Sequence, residues 1–348
     1  MRGIALILIG VLTALTGGAT TRAQQGLVDP NHWQEYKSRF LDRSGRIVDN
    51  GNGGISHSEG QGYGLLLAYL SGSGADFEQI WSFTKTELLL RDDGLAVWRW
   101  DPKSDPHVID TNNATDGDIL IAYALALAGS AWNREEYLAS ASNIANAVLN
   151  KTVVVAAGRT ILLPGVQGFG AADRKDGPVI NPSYWIFEAL PVMKVLAPSD
   201  KWDHLKNDGL QLIRALQIGP KKLPPEWASL KSRPKPADGF EPQFSYNAVR
   251  IPLYMMRAGI NDPANLQMFL DNMGGAEGVA TTIDLPSGQA VEPLTDPGYQ
   301  IINHIMACVL QGARLPQTDL QFAPELYYPA TLQLLGLALV KERHPDCL

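Results

Sequence analysis

Any chemistry this chain performs has to be carried by carboxylates and aromatic rings, because other reactive arrangements are missing from its sequence. No glycine-rich phosphate loop follows a strand, no His-x-x-x-His or Cys-x-x-Cys pair occurs, and the six histidines are scattered. No serine stands in a nucleophile-elbow motif. Neither a metal nor a cofactor is therefore expected. What remains is a set of acids at helix starts. Glu59 lies in Ser58-Glu59-Gly60-Gln61-Gly62-Tyr63-Gly64, where the glycines leave room for close approach to the backbone. Asp116 and Asp118 lie in Thr115-Asp116-Gly117-Asp118. Acids are common in a first turn because the helix dipole favours them. Asp118 is accounted for as the reciprocal member of a capping box with Thr115, so position alone does not make a catalyst.

The neighbouring residues add a reason to look further. Trp98, Trp100, Tyr184, Trp185, Trp227, Tyr246, Tyr327 and Tyr328 fall in the connections or close to the helix starts beside these acids. Flat rings along a groove suit a sugar chain, whose faces are apolar and whose rims want hydrogen bonds. Trp81 and Trp132, inside or just after helical runs, belong to the core.

The elements that must position these residues read as helices throughout, with no alternating apolar run long enough to compete as a sheet. Six nearly all-apolar helices have start signals. These are Ser58-x-x-Gln61, Thr115-x-x-Asp118, Asn181-Pro182 ahead of residues 184–196, Ser245, Asp296-Pro297 and Tyr328-Pro329. Between them lie more amphipathic candidates, roughly residues 31–41, 76–90, 134–149, 200–216 and 262–272, with a sixth partner not evident. Alternating buried and half-buried helices predict an all-α double ring, the (α/α)6 barrel. The inner helices' N-termini would gather at one end. Four long connections, residues 91–114, 151–180, 217–244 and 273–295, each precede an inner helix and are rich in Gly, Pro, Trp and acids. Connections of that length inside a compact domain are usually functional.

With 45% apolar and 19% charged residues, the 348-residue chain is globular, and no internal apolar run reaches the length of a membrane span. Met1-Arg2, the apolar stretch from Ile4 to Leu15 and the small residues ending at Ala23 form a secretory signal peptide, residues 1–23. That leaves residues 24–348 as a single catalytic domain, secreted or periplasmic, with no membrane insertion after cleavage. Cleavage removes Arg2 and Arg22 but no acid, taking the net charge from −7 to −9, which disfavours nucleic acid as a partner. The two cysteines, Cys308 and Cys347, can pair in an oxidising compartment. A monomer is expected.

These motifs resemble glycoside hydrolase family 8, which includes cellulases and some chitosanases, xylanases and lichenases. Ala114-Thr115-Asp116-Gly117-Asp118, continued by Ile121-Ala122, Ala124-Leu125, Ala128 and Trp132, is similar to the family signature over about twenty positions. The segment from Ser58 to Gly64 resembles the proton-donor segment, and Trp98-Arg99-Trp100-Asp101 resembles a substrate-stacking segment. Asn181-Pro182-Ser183-Tyr184 and Tyr246 to Pro252 also find counterparts, so the likeness runs from about residue 30 to 340. It is strongest to the endoglucanases encoded beside bacterial cellulose synthases. The resemblance implies hydrolysis of a β-1,4-glucan with inversion, the two catalytic groups standing about 6.5–9.5 Å apart. It makes Glu59 the general acid and Asp116 the carboxylate at the cleaved sugar. Trp98, Trp100, Tyr184, Tyr246, Asn247, Arg250 and Tyr327 become substrate contacts. Asn247 stands where many relatives carry the aspartate that activates water, and an amide cannot take that proton at neutral pH. Asp116, Asp238, Glu241 and Glu292 are the acids that could act instead. Another β-glycan, or a glycan-binding ring of weak activity, are the alternatives.

Overall fold

The computed structural model describes residues 26–274 and 279–348, so the signal peptide expected over residues 1–23 lies outside them. By packing, the described residues form two compact units.

The first unit holds residues 26–152, Ala189–Asp203 and Ala323–Tyr328. Helix α1 (Pro30–Phe40) starts where Asp29 accepts the N–H groups of Asn31 and His32, and it buries Trp33, Tyr36 and Phe40 along one face. A two-residue ribbon, β1 (Ser56–His57) against β2 (Arg99–Trp100), leads into α2 (Ser58–Ser71). There follow α3 (Gly74–Phe83), a π-helical turn over Thr84–Leu88, α4 (Thr115–Ala131), α5 (Glu135–Lys151) and α6 (Leu190–Leu196). Helices α2 and α4 are buried almost all round, whereas α5 is buried on one face only. This is the inner and outer division that composition predicts.

The capping boxes expected at Ser58 and Thr115 are not formed. Helix α2 begins one residue earlier than the Ser58 capping box requires, because the His57 ring caps it by accepting from Gly60 N–H. Gln61 turns inward instead, accepting from Ile47 N–H at 2.6 Å and donating to Gly45 O and Thr84 Oγ1. Helix α4 has Ala114 at its N-cap with no side-chain bond, and Asp118 reaches across to the preceding connection. In both cases a buried polar group outside the helix claims the side chain, and satisfying it outweighs a local cap.

The second unit holds Val153–Glu188, His204–Phe322 and Pro329–Leu348. The helices are α7 (Lys201–Ala215), whose first residues count with the first unit, α8 (Ile251–Arg257), α9 (Pro263–Met273), α10 (Pro297–Gln311), the single turn α11 (Gln317–Leu320) and α12 (Tyr327–Arg343). Gly298 at the start of α10 lies so close to Pro329 O that a Cβ there would sit 1.7 Å from it, and further along Gly336 of α12 faces Ile301 and Ile305. The contacts advance together, so α10 and α12 run parallel with their starts side by side. Cys308 and Cys347 form a disulfide.

The helix predicted over residues 184–196 is shorter. Asn181 caps only a 3-10 turn, Pro182–Tyr184, and α6 starts at Leu190. The long connections after residue 150 also carry small antiparallel sheets that no periodicity announced. These are β3 (Val153–Ala156) with β4 (Arg159–Leu162), then β5 (Val179–Ile180) with β6 (Ala228–Ser229) and β7 (Lys235–Pro236), then β8 (Gln243–Phe244) with β9 (Thr281–Asp284) and β10 (Ala290–Pro293).

Candidate active site

In the first unit two glycines decide where the acids stand. A Cβ on Gly62 of α2 would lie 2.5 Å from Leu120 Cβ of α4, and a Cβ on Gly117 would lie 2.2 Å from Ser58 Oγ and 2.6 Å from Glu59 N. Both contacts progress in the same direction along the two helices. The helices are therefore parallel, with backbones nearly touching at their first turns, and Glu59 and Asp116 occupy neighbouring helix starts. Gly117→Ala is expected to push those turns apart, with a stability loss of about 1–3 kcal/mol and a fall in turnover larger than that loss explains. Thermal melts and initial rates on the same preparation check this, and an unchanged rate would show that the spacing is not needed.

Asp116 is 2% exposed, and its Oδ1 accepts the N–H of Gly117 at 2.8 Å. Burial pushes its carboxyl up to about 7. Asp118 is fully buried and accepts from Ala96 N–H and Asn113 Nδ2, each at 2.8 Å. Its carboxyl is also pushed up to about 7, chiefly by burial, with the Asp116 charge adding to the effect against the pull of its hydrogen bonds and Arg91. The Ala96 bond has a positional consequence, because it pins the connection that carries Trp98 to the start of α4. Trp98 O in turn accepts from Ser58 N–H at 3.1 Å, and the indole donates to Asp110 Oδ2 at 2.8 Å. Trp98 is half-buried beside the Glu59 turn.

Trp100 and Tyr327 are placed differently. Opposite Trp100 on the β1–β2 ribbon is Ser56, so side-chain alternation turns Trp100 away from the His57 side. It meets Arg46, 4.9 Å from its ring centre, packs on His107 and Phe83, and donates to Glu87 Oε2 at 3.2 Å. There it lines a cavity of about 400 Å³ with Asp42, Ser44 and Thr86. Tyr327 is 1% exposed, packed against Phe40 and edge-on to His57. Neither offers an open face next to Glu59.

The second unit gathers the other expected contacts. Tyr184 ends its 3-10 turn with Arg250 beside it, the guanidinium 5.9 Å from the Tyr184 ring centre and 5.8 Å from that of Tyr254. Arg250 is buried to 1% exposure. Asn247 precedes the 3-10 turn Ala248–Arg250, which runs into α8, and its N–H donates to Glu226 Oε1 at 2.7 Å. Tyr246 is 40% exposed and donates to Glu292 Oε2 at 2.7 Å, with burial and that carboxylate pushing its phenol up to about 12. Trp227 is stacked between Phe169 and Phe240, and Trp185 is buried with its indole bonded to Leu205 O.

Glu226 is a carboxylate against Asn247 that sequence reasoning does not single out. Burial raises its carboxyl above the ordinary value, against hydrogen bonds from Asn247 backbone and side chain and from Ala248 N–H. Glu226 lies against Asn247, whereas Asp238 is exposed and paired with Lys235, and Glu241 is exposed. Only the Pro224-Pro225-Glu226-Trp227 run marks it in the sequence, and nothing in the spacing ties it to Asn247. Among the described residues no group of three or more His, Cys, Asp or Glu side chains could hold a metal ion.

Glu59 and Asp116 thus stand on adjoining helix starts with Trp98 beside them. The family model of glycosyl hydrolases family 8 matches residues 9–342, and the chain belongs to that family of glycoside hydrolases. A protein of Novacetimonas hansenii described as a probable endoglucanase is 35% identical, over 94% of this chain and 97% of its own. Among solved structures, the endo-β-1,4-glucanase CMCax from Acetobacter xylinum superposes with a TM-score of 0.80 at 36% identity, covering 92% of this chain and 99% of that one. An endoglucanase from Komagataeibacter sucrofermentans gives 0.80 at 38% identity, covering 91% and 98%. The chain shares their fold, the all-α (α/α)6 class.

Proposed function

We propose that this chain is an endo-β-1,4-glucanase that cleaves internal bonds of cellulose with inversion. The observation that carries the proposal is the pairing of Glu59 and Asp116 on touching first turns, with Trp98 fastened beside them. Glu59 protonates the bridging oxygen as the bond breaks, and water enters from the opposite face of the sugar. Asp116 holds the ring and favours the positive charge developing on it. Trp98 in the first unit and Tyr184, Tyr246, Asn247 and Arg250 in the second bind sugar units. The names of the relatives support the glucan, and the disulfide supports export to the periplasm or medium, where thiols are oxidised. Among the described residues no helix is long and apolar enough to cross a membrane. The enzyme acts as a monomer, as a single catalytic domain of residues 24–348 once the signal peptide is removed, and has no nucleic-acid partner.

The test is turnover on carboxymethyl cellulose, chitosan, xylan and mixed-linkage glucan under one set of conditions. Reducing ends should appear fastest from carboxymethyl cellulose. A tenfold or greater preference for another polymer, on the order of 1.4 kcal/mol in transition-state binding, reassigns the substrate. Cellulose binding without release of reducing ends would support the weak-activity reading that Asn247 suggests.

A further inference from the structure

The connection of residues 91–114 carries Trp98 out from the π-helical turn and returns to the first turn of α4. Its two legs are bonded to each other around the tryptophan. Trp98 N–H donates to Asn112 O at 2.9 Å, the indole donates to Asp110 Oδ2 at 2.8 Å, and Arg91 donates to Thr111 O. The returning leg therefore grips Trp98 through both main chain and ring. One side chain of α4 bridges the two legs where they meet the helix. Asp118 Oδ1 accepts Ala96 N–H, two residues before Trp98, and Oδ2 accepts Asn113 Nδ2, one residue after Asn112, each at 2.8 Å. Ala96 and Asp118 are fully buried and Asn113 is 3% exposed. Water cannot replace either bond there, so losing one leaves a buried donor unpaired, which costs more than an average hydrogen bond contributes. Gly117, immediately before Asp118, is the residue whose closeness to Ser58 and Glu59 N sets the spacing of the two helix starts. The same turn thus places the acid through Gly117 and the tryptophan through Asp118.

We propose that Asp118 is a positioning residue whose carboxyl, by tying both legs of the connection to the start of α4, fixes the Trp98 ring against the sugar beside the cleaved bond. The proposal rests on the reading that Trp98 binds a sugar unit. Asp118 acts through Trp98 and touches no substrate, since it is fully buried. Its two oxygens serve two donors at once, which an amide in its place cannot do. An asparagine has one acceptor oxygen, and its NH2 group would face the NH2 of Asn113. The spacing of Glu59 and Asp116 is set by other contacts, those of Gly62 and Gly117. Loss of the tie should therefore weaken the hold on substrate and leave proton transfer nearly intact. Arg91 adds to the arrangement from the outgoing leg, bonded to Asp93 and Thr111 and close enough to favour the ionised form of Asp118.

The experiment measures KM and kcat on cellohexaose for the full chain, for Asp118→Asn, for Asn113→Asp, for the double variant that exchanges the two residues, and for Asp118→Asn in a Trp98→Ala background. Amide hydrogen exchange across residues 95–98 and 110–113 is followed on the same samples. Asp118→Asn should raise KM about 3- to 10-fold, the range of one aromatic contact, with kcat changed little and exchange faster in both legs. Asn113→Asp sets two carboxyls against each other and should do the same. The exchanged pair restores a donor facing an acceptor and keeps an acceptor for Ala96 N–H. It should recover most of the parental KM and protection, which a general loss of stability would not produce. In the Trp98→Ala background KM is already raised, and Asp118→Asn should add nothing further. Should Asp118→Asn fail to fold, Asn113→Ala, which frees the returning leg alone, carries the same comparison. A parental KM in the folded variant, or a full rise in KM without the Trp98 ring, overturns the inference. A parent that releases no reducing ends from any glucan overturns the glucanase reading instead, and exchange in the two legs then decides whether Asp118 holds the connection.

Discussion

Replacing Glu59 by Gln is expected to lower kcat on carboxymethyl cellulose by about 10²–10⁴-fold, the usual contribution of a general acid, while the protein melts within about 2 °C of the parent. The side chains have the same shape, and the carboxyl of Glu59 is partly exposed rather than part of the core, so folding has little reason to change. KM should also change little, because the amide can still donate a hydrogen bond to the bridging oxygen. What it cannot do is transfer a proton as the bond breaks. The effect therefore falls on the transition state, and kcat and kcat/KM should drop together. Release of reducing ends, measured with a melting curve on the same sample, separates this from misfolding. A folded variant with parental turnover would remove Glu59 from the mechanism.

The parts of this site that were legible in the sequence share a physical feature, namely short-range constraint. Glu59 and Asp116 were singled out by the likeness of their short segments to the family's motifs, and the structure puts Gly62 and Gly117 of those segments at close helix contacts. The amphipathic outer helices were legible for a similar reason, since one buried face imposes a period. The residues that were not legible act over folded distances. His57 meets Asp49, which the chain brings back through a tight turn closed by the Asp49–Ile55 bridge. Glu226 meets Asn247, twenty-one residues later. The strands were missed because most are two residues long, too short for alternation to register. The capping reading of Asp118 failed for a related reason. A local pattern was present, but a buried backbone N–H at Ala96 made the stronger claim on the carboxylate.

Asp116→Asn should separate function from stability in opposite directions. Burial has raised this carboxyl to about 7, so around neutrality the folded chain holds a proton that the unfolded chain has already released. The sign follows directly. Relative to the unfolded state, folding is favoured at low pH by this group, and that contribution is lost as pH rises from about 4 through 7. An amide of the same shape keeps the acceptor for Gly117 N–H and carries no charge to desolvate. The variant should therefore be more stable than the parent above pH 7 and should show a flatter dependence of melting temperature on pH. Turnover should move the other way, because the ionised carboxylate is the form that favours positive charge on the cleaved sugar. A loss of about 10²–10³-fold in kcat is expected, together with disappearance of the parent's rise in activity near pH 7. A buried acid that costs stability when ionised, yet is retained beside the proton donor, is what a site built around that charge requires. If the amide variant keeps both the parent's rate and its rise near pH 7, the charge on Asp116 has no part in the reaction.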